Sequence, residues 1–235
     1  PSNLTRVYGS RYADAFPSWW KRLLRGRRNP KAEIVSAHLK AINPALRIAV
    51  YTEAVSKTVV ARAMLDRDVI FACTDDHWGR AILNQIAYQY LIPVVNLGVS
   101  LDGKDGTLIG GIGAVQVLRP GLGCLWCCGF LDAKRIRAES LPAGERVRLE
   151  AEGYVQGLGE PAPSVVPLTT TTAGLAGTLF LQLVTDFMGE AGDISRLNFL
   201  PLEGTVRRGR VALKESCMCS KVKGRGDRKA LPVVD

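Results

Sequence analysis

Two closely spaced cysteine pairs constrain the fold of this 235-residue chain more than any other feature of its sequence. The pairs are Cys124 and Cys127, in a C-x-x-C spacing, and Cys217 and Cys219, in a C-x-C spacing. Four thiolates are a common ligand set for structural Zn²⁺, and each of two short loops can supply two of them. The sequence therefore predicts that residues 124–127 and 217–219 meet as a zinc knuckle. Buried free thiols and a disulfide are the alternatives.

Composition places the chain among ordinary globular proteins. Apolar residues make up 47% of it and charged residues 23%, as is typical of a folded domain. The sequence contains neither an apolar run of the roughly 20 residues that cross a bilayer nor a signal segment at its start. Six cysteines in 235 residues are too few for a secreted disulfide scaffold. We therefore expect a cytoplasmic protein of one large or two small domains, with no membrane partner.

The formal charge of +9 is concentrated in two segments. Residues 6–40 hold nine basic and two acidic residues, and residues 221–229 hold five basic residues and one acidic residue. This balance favours an anionic partner, which could be a nucleotide, an acidic protein surface or a nucleic acid. Solvated surface charge is the alternative for either segment.

The hydrophobic pattern of the first half predicts strands and helices in alternation. Helices are expected over residues 30–45, 53–65 and 77–91, and strands over residues 47–52, 68–73 and 93–99. The strand from Asp68 to Cys73 is apolar after its first residue, as in a parallel strand buried on both faces. The alternation indicates a doubly wound α/β sheet.

The second half has a different pattern. Residues 107–119 are Gly-rich and extended, and residues 132–152 are charged and are expected to be helical or partly mobile. Residues 169–188 are typical of a long helix with one face of small residues, and residues 196–214 of one or two edge strands. We expect these last strands to be antiparallel.

Chemistry is expected where the strands end. Ligands of open α/β sheets bind at the carboxyl ends of the strands, and Asp75 follows the strand predicted over 68–73. A carboxylate there can hold Mg²⁺ on a nucleotide phosphate. Asp75 could instead cap the next helix, although Asp76 suits that role better. Arg6 and Lys31 are candidate phosphate-binding cations, with surface charge as the alternative.

Several short motifs occur in the order found in one protein superfamily. They are Ser2-Asn-Leu-Thr-Arg6, Pro30-Lys-Ala32, Ala41-Ile-Asn-Pro44, Asp68 to Asp75 with Arg80 downstream, Ile92-Pro-Val-Val95, Gly113-Ala-Val-Gln-Val117, and Pro120 with Cys124 and Cys127. Each motif alone is weak. Together they resemble the ubiquitin-activating-enzyme superfamily of the ThiF, MoeB and HesA type, over about residues 2–220.

The resemblance implies a Rossmann-like, doubly wound α/β fold with a mainly parallel sheet, and a single adenylation domain over residues 1–235. It implies ATP-dependent adenylation of the C-terminal glycine of a ubiquitin-like protein. In that reaction Asn3 and Arg6 contact ATP. Lys31 stabilises charge on the phosphates, and Asp75 holds Mg²⁺. Activation of a sulfur-carrier protein and a catalytically silent scaffold subunit are the alternatives.

Three features depart from the family pattern. The glycine-rich ATP loop and its βαβ unit would precede Pro1, so we expect them on a longer polypeptide or on a second chain. Residues 7–30 form a basic and aromatic insertion, which could dock a partner or pack locally. Residues 129–216 contain no cysteine for a thioester. Of the two remaining thiols, Cys73 is expected in the core, which leaves Cys128 as the candidate.

The resemblance also implies partners. Family members are typically dimers, so we expect a homodimer or a heterodimer, with a ubiquitin-conjugating-type enzyme downstream. Nucleic acid is not an expected partner, because the basic residues fall in the insertion and in the C-terminal tail.

Overall fold

The computed structural model describes residues 10, 30–151 and 165–234. The chain divides into two compact units, with the boundary between Ala54 and Val55. Of the predicted insertion over residues 7–30, the structure describes only Ser10 and Pro30. The rest of that insertion lies outside the described residues. None of the described helices combines the length and the apolarity that a membrane crossing requires.

The described part of the first unit contains one helix, α1 (Lys31–Ile42). This helix confirms the prediction over residues 30–45. The predicted strand over residues 47–52 is wrong, because these residues are irregular in the structure. A strand needs a hydrogen-bonding neighbour, and Val50 is 38% exposed in a segment that pairs with none of the described strands.

The second unit is built on a five-stranded sheet. Its strands are β1 (Ile70–Ala72), β2 (Val94–Lys104), β3 (Thr107–Leu118), β4 (Arg196–Leu200) and β5 (Thr205–Gly209). They lie side by side in that order. β1 and β2 are parallel, and the other three pairings are antiparallel. The expected α/β class with antiparallel C-terminal strands is confirmed.

A two-residue turn makes the described sheet more antiparallel than the sequence indicated. Lys104 pairs with Thr107, so Asp105 and Gly106 alone join β2 to β3. Both turn residues have positive φ, at 50° and 75°, which is the backbone geometry that tight hairpins favour. β2 therefore reverses directly into β3, with no helix crossing over to a parallel neighbour.

Six helices of the second unit are described. They are α2 (Thr58–Ala63), α3 (His77–Gln89), α4 (Ala133–Ser140), α5 (Ala143–Ala151), α6 (Val166–Thr185) and α7 (Met218–Val222). The predictions over residues 53–65, 77–91 and 169–188 correspond to α2, α3 and α6.

The two faces of the sheet are buried in two separate cores. In the first core, α3 packs through Ile82 and Ile86 with Val94 of β2. In the second core, α6 packs through Leu179 with Val95 of β2. Val94 and Val95 enter different cores because successive strand residues point to opposite faces. Residues 79–89 of α3 are all buried, so this helix is the centre of the unit.

Candidate active site and metal centre

The loop after β1 carries the predicted magnesium ligand. Residues 73–76, called here the Asp75 loop, connect β1 to α3. Asp75 is exposed. Asp76 caps α3, because its side chain accepts a hydrogen bond from the Gly79 amide. The predicted cap is therefore confirmed, and the Asp75 carboxylate remains available to a ligand.

A buried guanidinium lies beside this loop. Arg80 is only 7% exposed, and its terminal nitrogens donate to Asn96 Oδ1 (2.6 Å) and to the Leu97 carbonyl (3.4 Å). Its guanidinium carbon lies 5.2 Å from the centre of the Phe130 ring. Burial lowers the pKa of Arg80, whereas the negative groups of the Asp75 loop raise it. Arginine stays protonated through such shifts, so a fixed positive charge stands next to the two carboxylates.

Two buried polar atoms at this end of the sheet have no hydrogen-bond partner among the described residues. They are the hydroxyl oxygen of Thr74 and the Nε atom of Arg80. Leaving a buried polar atom unpaired costs about 1–3 kcal/mol, so native proteins rarely do so. An unpaired hydroxyl and guanidinium N–H beside the exposed Asp75 carboxylate are groups that a phosphate and its metal ion can use. The loop therefore fits the nucleotide site expected there.

The first residues of α3 are held by neighbouring elements. The Nδ1 atom of His77 accepts a hydrogen bond from the Asp132 amide (3.2 Å), and the Trp78 amide donates to Glu139 (2.7 Å). Burial lowers the pKa of His77, an effect that the Glu139 carboxylate opposes. The neutral imidazole thus has one nitrogen occupied as an acceptor. His77 fixes the position of the loop.

The structure does not test the other predicted nucleotide ligands. Lys31 is the exposed first residue of α1, in the first unit, whereas Asp75 belongs to the second. Asn3 and Arg6 lie outside the described residues. The predicted contacts of these three residues with ATP stay predictions.

The expectation that Cys73 packs in the core is wrong. Cys73 is exposed, because β1 ends at Ala72 and places the next side chain in the loop. Cys128 is half-buried, and its thiol donates to the Leu125 carbonyl (3.4 Å).

The four paired cysteines converge within the first core. The sulfur–sulfur distances are 3.7 Å for Cys124 and Cys127, 3.6 Å for Cys124 and Cys217, and 3.7 Å for Cys127 and Cys219. All four sulfur atoms lie within 4.8 Å of one another. A tetrahedral ion with metal–sulfur bonds of about 2.3 Å places its ligands about 3.8 Å apart. The cluster can therefore hold one metal ion.

A close backbone contact brings the two cysteine segments together. The Gly123 amide donates to the Val211 carbonyl (3.1 Å), and the Gln116 side chain donates to the Gly123 carbonyl (2.9 Å). A Cβ atom on Gly123 would lie 2.5 Å from the carbonyl oxygen of Ala212. The sequence placed Gln116 in a motif without a role and did not single out Gly123, because no periodicity marks a contact between segments that lie so far apart in the chain.

The thiols of the cluster differ in pKa. Burial raises the pKa of Cys124 and that of Cys219, the latter to about 12. Burial also acts to raise the pKa of Cys127, but hydrogen bonds from the Lys214 and Cys124 backbones lower it to about 7. A metal ion that binds four thiolates must therefore displace protons from the buried thiols.

Solved structures share this fold. The structure is similar to E. coli MccB with ATP, at 14% sequence identity and a TM-score of 0.56, over 81% of this chain and 50% of that one. E. coli MccB with MccA-N7isoASN gives 13% identity and a TM-score of 0.59, over 82% and 51%. The microcin C7 biosynthetic enzyme MccB in complex with N-formylated MccA gives 13% and 0.59, over 82% and 52%. The chain spans about half the length of these proteins.

The sequence itself gives the family. No curated protein sequence matches the chain. A family model described as the ThiF family matches residues 1–220, the span over which the motifs run in order. The chain therefore belongs to the ThiF family.

Proposed function

We propose that this protein takes part in the ATP-dependent adenylation of a ubiquitin-like protein, at the carboxylate of its C-terminal glycine. The observation that carries the proposal is Asp75, an exposed carboxylate at the carboxyl end of β1, next to the fixed charge of Arg80. Unpaired polar atoms on Thr74 and Arg80 support a polar ligand at the same place.

Each residue has a role in that reaction. Asp75 holds Mg²⁺, whose charge offsets that of the phosphate oxygens. Arg80 is tied to β2, so its charge stays beside the loop without reorganising during the reaction. Asn3 and Arg6 bind the nucleotide, and Lys31 stabilises charge on the phosphates. The glycine carboxylate attacks the α-phosphorus of ATP, pyrophosphate leaves, and an acyl-adenylate remains.

The proposal also covers the glycine-rich ATP loop and the partner proteins. The glycine-rich ATP loop is expected on a longer polypeptide or a second chain, which agrees with the half-length coverage of MccB. We further propose a dimer in the cytoplasm that passes the activated modifier to a ubiquitin-conjugating-type enzyme.

We propose Zn²⁺ as the ion of the cysteine cluster. Four thiolates at tetrahedral spacing favour zinc over the harder ions that prefer oxygen ligands. With all four coordination positions filled by sulfur, such a site has no position for substrate, so the role of the ion is structural.

A second candidate concerns the substrate. The similar MccB structures contain MccA or N-formylated MccA, so a MccA-like acceptor is an alternative to a ubiquitin-like protein. A sulfur-carrier protein and a silent scaffold role are the remaining alternatives.

ATP–pyrophosphate exchange tests the proposal. The protein is purified with any polypeptide that accompanies it and is assayed with a Gly-Gly-ended ubiquitin-like protein. Asp75→Asn is expected to abolish exchange. Asp105→Asn removes the same charge in the β2–β3 turn, where asparagine tolerates the positive φ of 50°, and is expected to leave exchange unchanged.

The outcomes separate the alternatives. Exchange that requires the ubiquitin-like protein and Asp75 supports the proposal. Exchange with a sulfur-carrier or MccA-like acceptor alone keeps adenylation but changes the substrate. Absence of exchange with every acceptor, in folded protein that contains the glycine-rich loop, refutes adenylation and favours the scaffold role.

A further inference from the structure

A cavity of about 360 Å³ lies in the second unit, and none of its described lining residues belongs to the Asp75 loop. It is bounded by the C-terminal end of α6, by the 3₁₀ turn Gly189–Gly192, and by the segment from Val117 to Leu122. It opens on the α6 side of the sheet near the amino end of β2, where Val117 pairs with Val95. Its size is at the lower end of the range of ligand pockets, about 300–1,000 Å³.

The lining of this cavity combines an apolar floor with a charged rim. The floor residues are Val117, Leu122, Leu179, Leu183 and Ile194. The rim carries the carboxylates of Asp186, Glu190 and Asp193 against one guanidinium, that of Arg119. The cavity is therefore net negative in a chain whose formal charge is +9.

The rim carboxylates are not fully neutralised by their neighbours. Asp193 lies 3.7 Å from Arg119 in an exposed ion pair, and Asp186 accepts a neutral hydrogen bond from Gln182 (2.7 Å). The Glu190 backbone carbonyl accepts a hydrogen bond from the Asp193 amide, but its carboxylate has no hydrogen bond or ion pair with the described residues. The 20-residue α6 also ends here, at Thr185, so its carbonyl end adds partial negative charge to the same opening.

We propose that this cavity binds an aliphatic chain that ends in a cation, as found in an arginine or lysine side chain or in a free alkylguanidine or alkylamine. The apolar floor accepts the methylene groups, and the carboxylates receive the cationic head in charge-assisted hydrogen bonds. An anionic ligand would meet the negative rim, and a purely apolar one would leave the rim without a partner. This site is independent of the proposed adenylation.

Matched pairs of probes test the chemistry. n-Butylguanidine is compared with n-butylurea, its neutral isostere, and acetyl-Gly-Arg-Gly-amide with the same tripeptide containing citrulline. Binding is followed by NMR titration of the full chain. Glu190→Gln keeps the shape of the rim and removes one charge, and is expected to weaken binding of the cationic probes by roughly two- to tenfold. Glu145→Gln in α5 is the control and is expected to change nothing.

Each outcome decides a point. Binding of either cationic probe, with loss of affinity in Glu190→Gln, supports the site. If only the arginine tripeptide binds, the natural ligand is a protein side chain. If only butylguanidine binds, the natural ligand is a free small molecule. Failure of both cationic probes overturns the proposal, as does equal affinity for the neutral isosteres or for Glu190→Gln.

Discussion

Gly123→Ala is the substitution that most directly tests how the metal centre is assembled. The backbone of Gly123 does not require glycine, because its φ lies outside the left-handed region. The space around Gly123 does require glycine, because a side chain would collide with its neighbours. An added Cβ would lie 2.5 Å from the Ala212 carbonyl oxygen, 2.6 Å from Val211 Cγ1 and 2.7 Å from the Val211 carbonyl oxygen. Two of these three atoms belong to backbone that leads to the second cysteine pair.

The magnitude follows from these contacts. Overpacking of this kind costs about 1–3 kcal/mol. Separating the two segments also weakens the hydrogen bonds of Gly123 with Val211 and Gln116, which contribute about 1 kcal/mol each. We expect the free energy of unfolding to fall by about 3 kcal/mol, which lowers Tm by about 6–12 °C for a protein of this size.

Thermal unfolding and metal content of the purified variant are the measurements. Gly174→Ala is the matched control, because it makes the same chemical change in α6, where the added Cβ meets nothing within 4 Å. It is expected to raise stability by about 0.5–1 kcal/mol. A Tm for Gly123→Ala within about 2 °C of the unsubstituted protein, where 1 kcal/mol corresponds to about 2–4 °C, would refute the reasoning.

Three further predictions concern the metal, a histidine and a buried amide. Metal analysis is expected to find about one Zn²⁺ per chain, lost with Cys124→Ser; a stably folded, metal-free protein would remove the zinc proposal. The folded-state pKa of His77 is lowered by burial, so the unfolded chain binds its proton first and stability is expected to fall as pH drops below about 6.5. Urea titrations should show a smaller fall for His77→Asn, and equal falls would contradict the assignment. Gln89→Leu removes the side-chain donor to the Gly226 and Lys229 carbonyls and is expected to cost about 1–3 kcal/mol; an unchanged urea midpoint would count against it.

Local patterns predicted the central elements because burial there follows the sequence closely. The alternation of apolar strand and helix located β1, α3 and β2, and the C-x-x-C and C-x-C spacings identified the four sulfur atoms that converge. The same pattern overstated the burial of β1, where Phe71 is 44% exposed. An apolar run shows that a residue can be buried, but the neighbouring elements decide whether it is covered.

The errors arose where long-range pairing decides the outcome. Residues 47–52 have the composition of a strand but pair with no described strand. Arg80 was identified only as part of a motif, whereas the structure shows a buried cation tied to Asn96 and stacked against Phe130. Such contacts join residues that are distant in sequence, so no window of local sequence contains them.

The position of α3 links the metal centre to the candidate active site. Its carboxyl half is held by the metal loop, since Asn84 Oδ1 accepts a hydrogen bond from the Leu125 amide (2.9 Å). Its amino end is held by the C-terminal tail, since the Trp78 indole donates to the Pro232 carbonyl (2.8 Å). The Asp75 loop precedes this helix directly. The proposed metal ion would therefore help to hold α3, whose residues 79–89 are all buried, and through this helix the Asp75 loop. The proposed structural metal site and the proposed nucleotide site would then lie at different places along one helix, each with its own role.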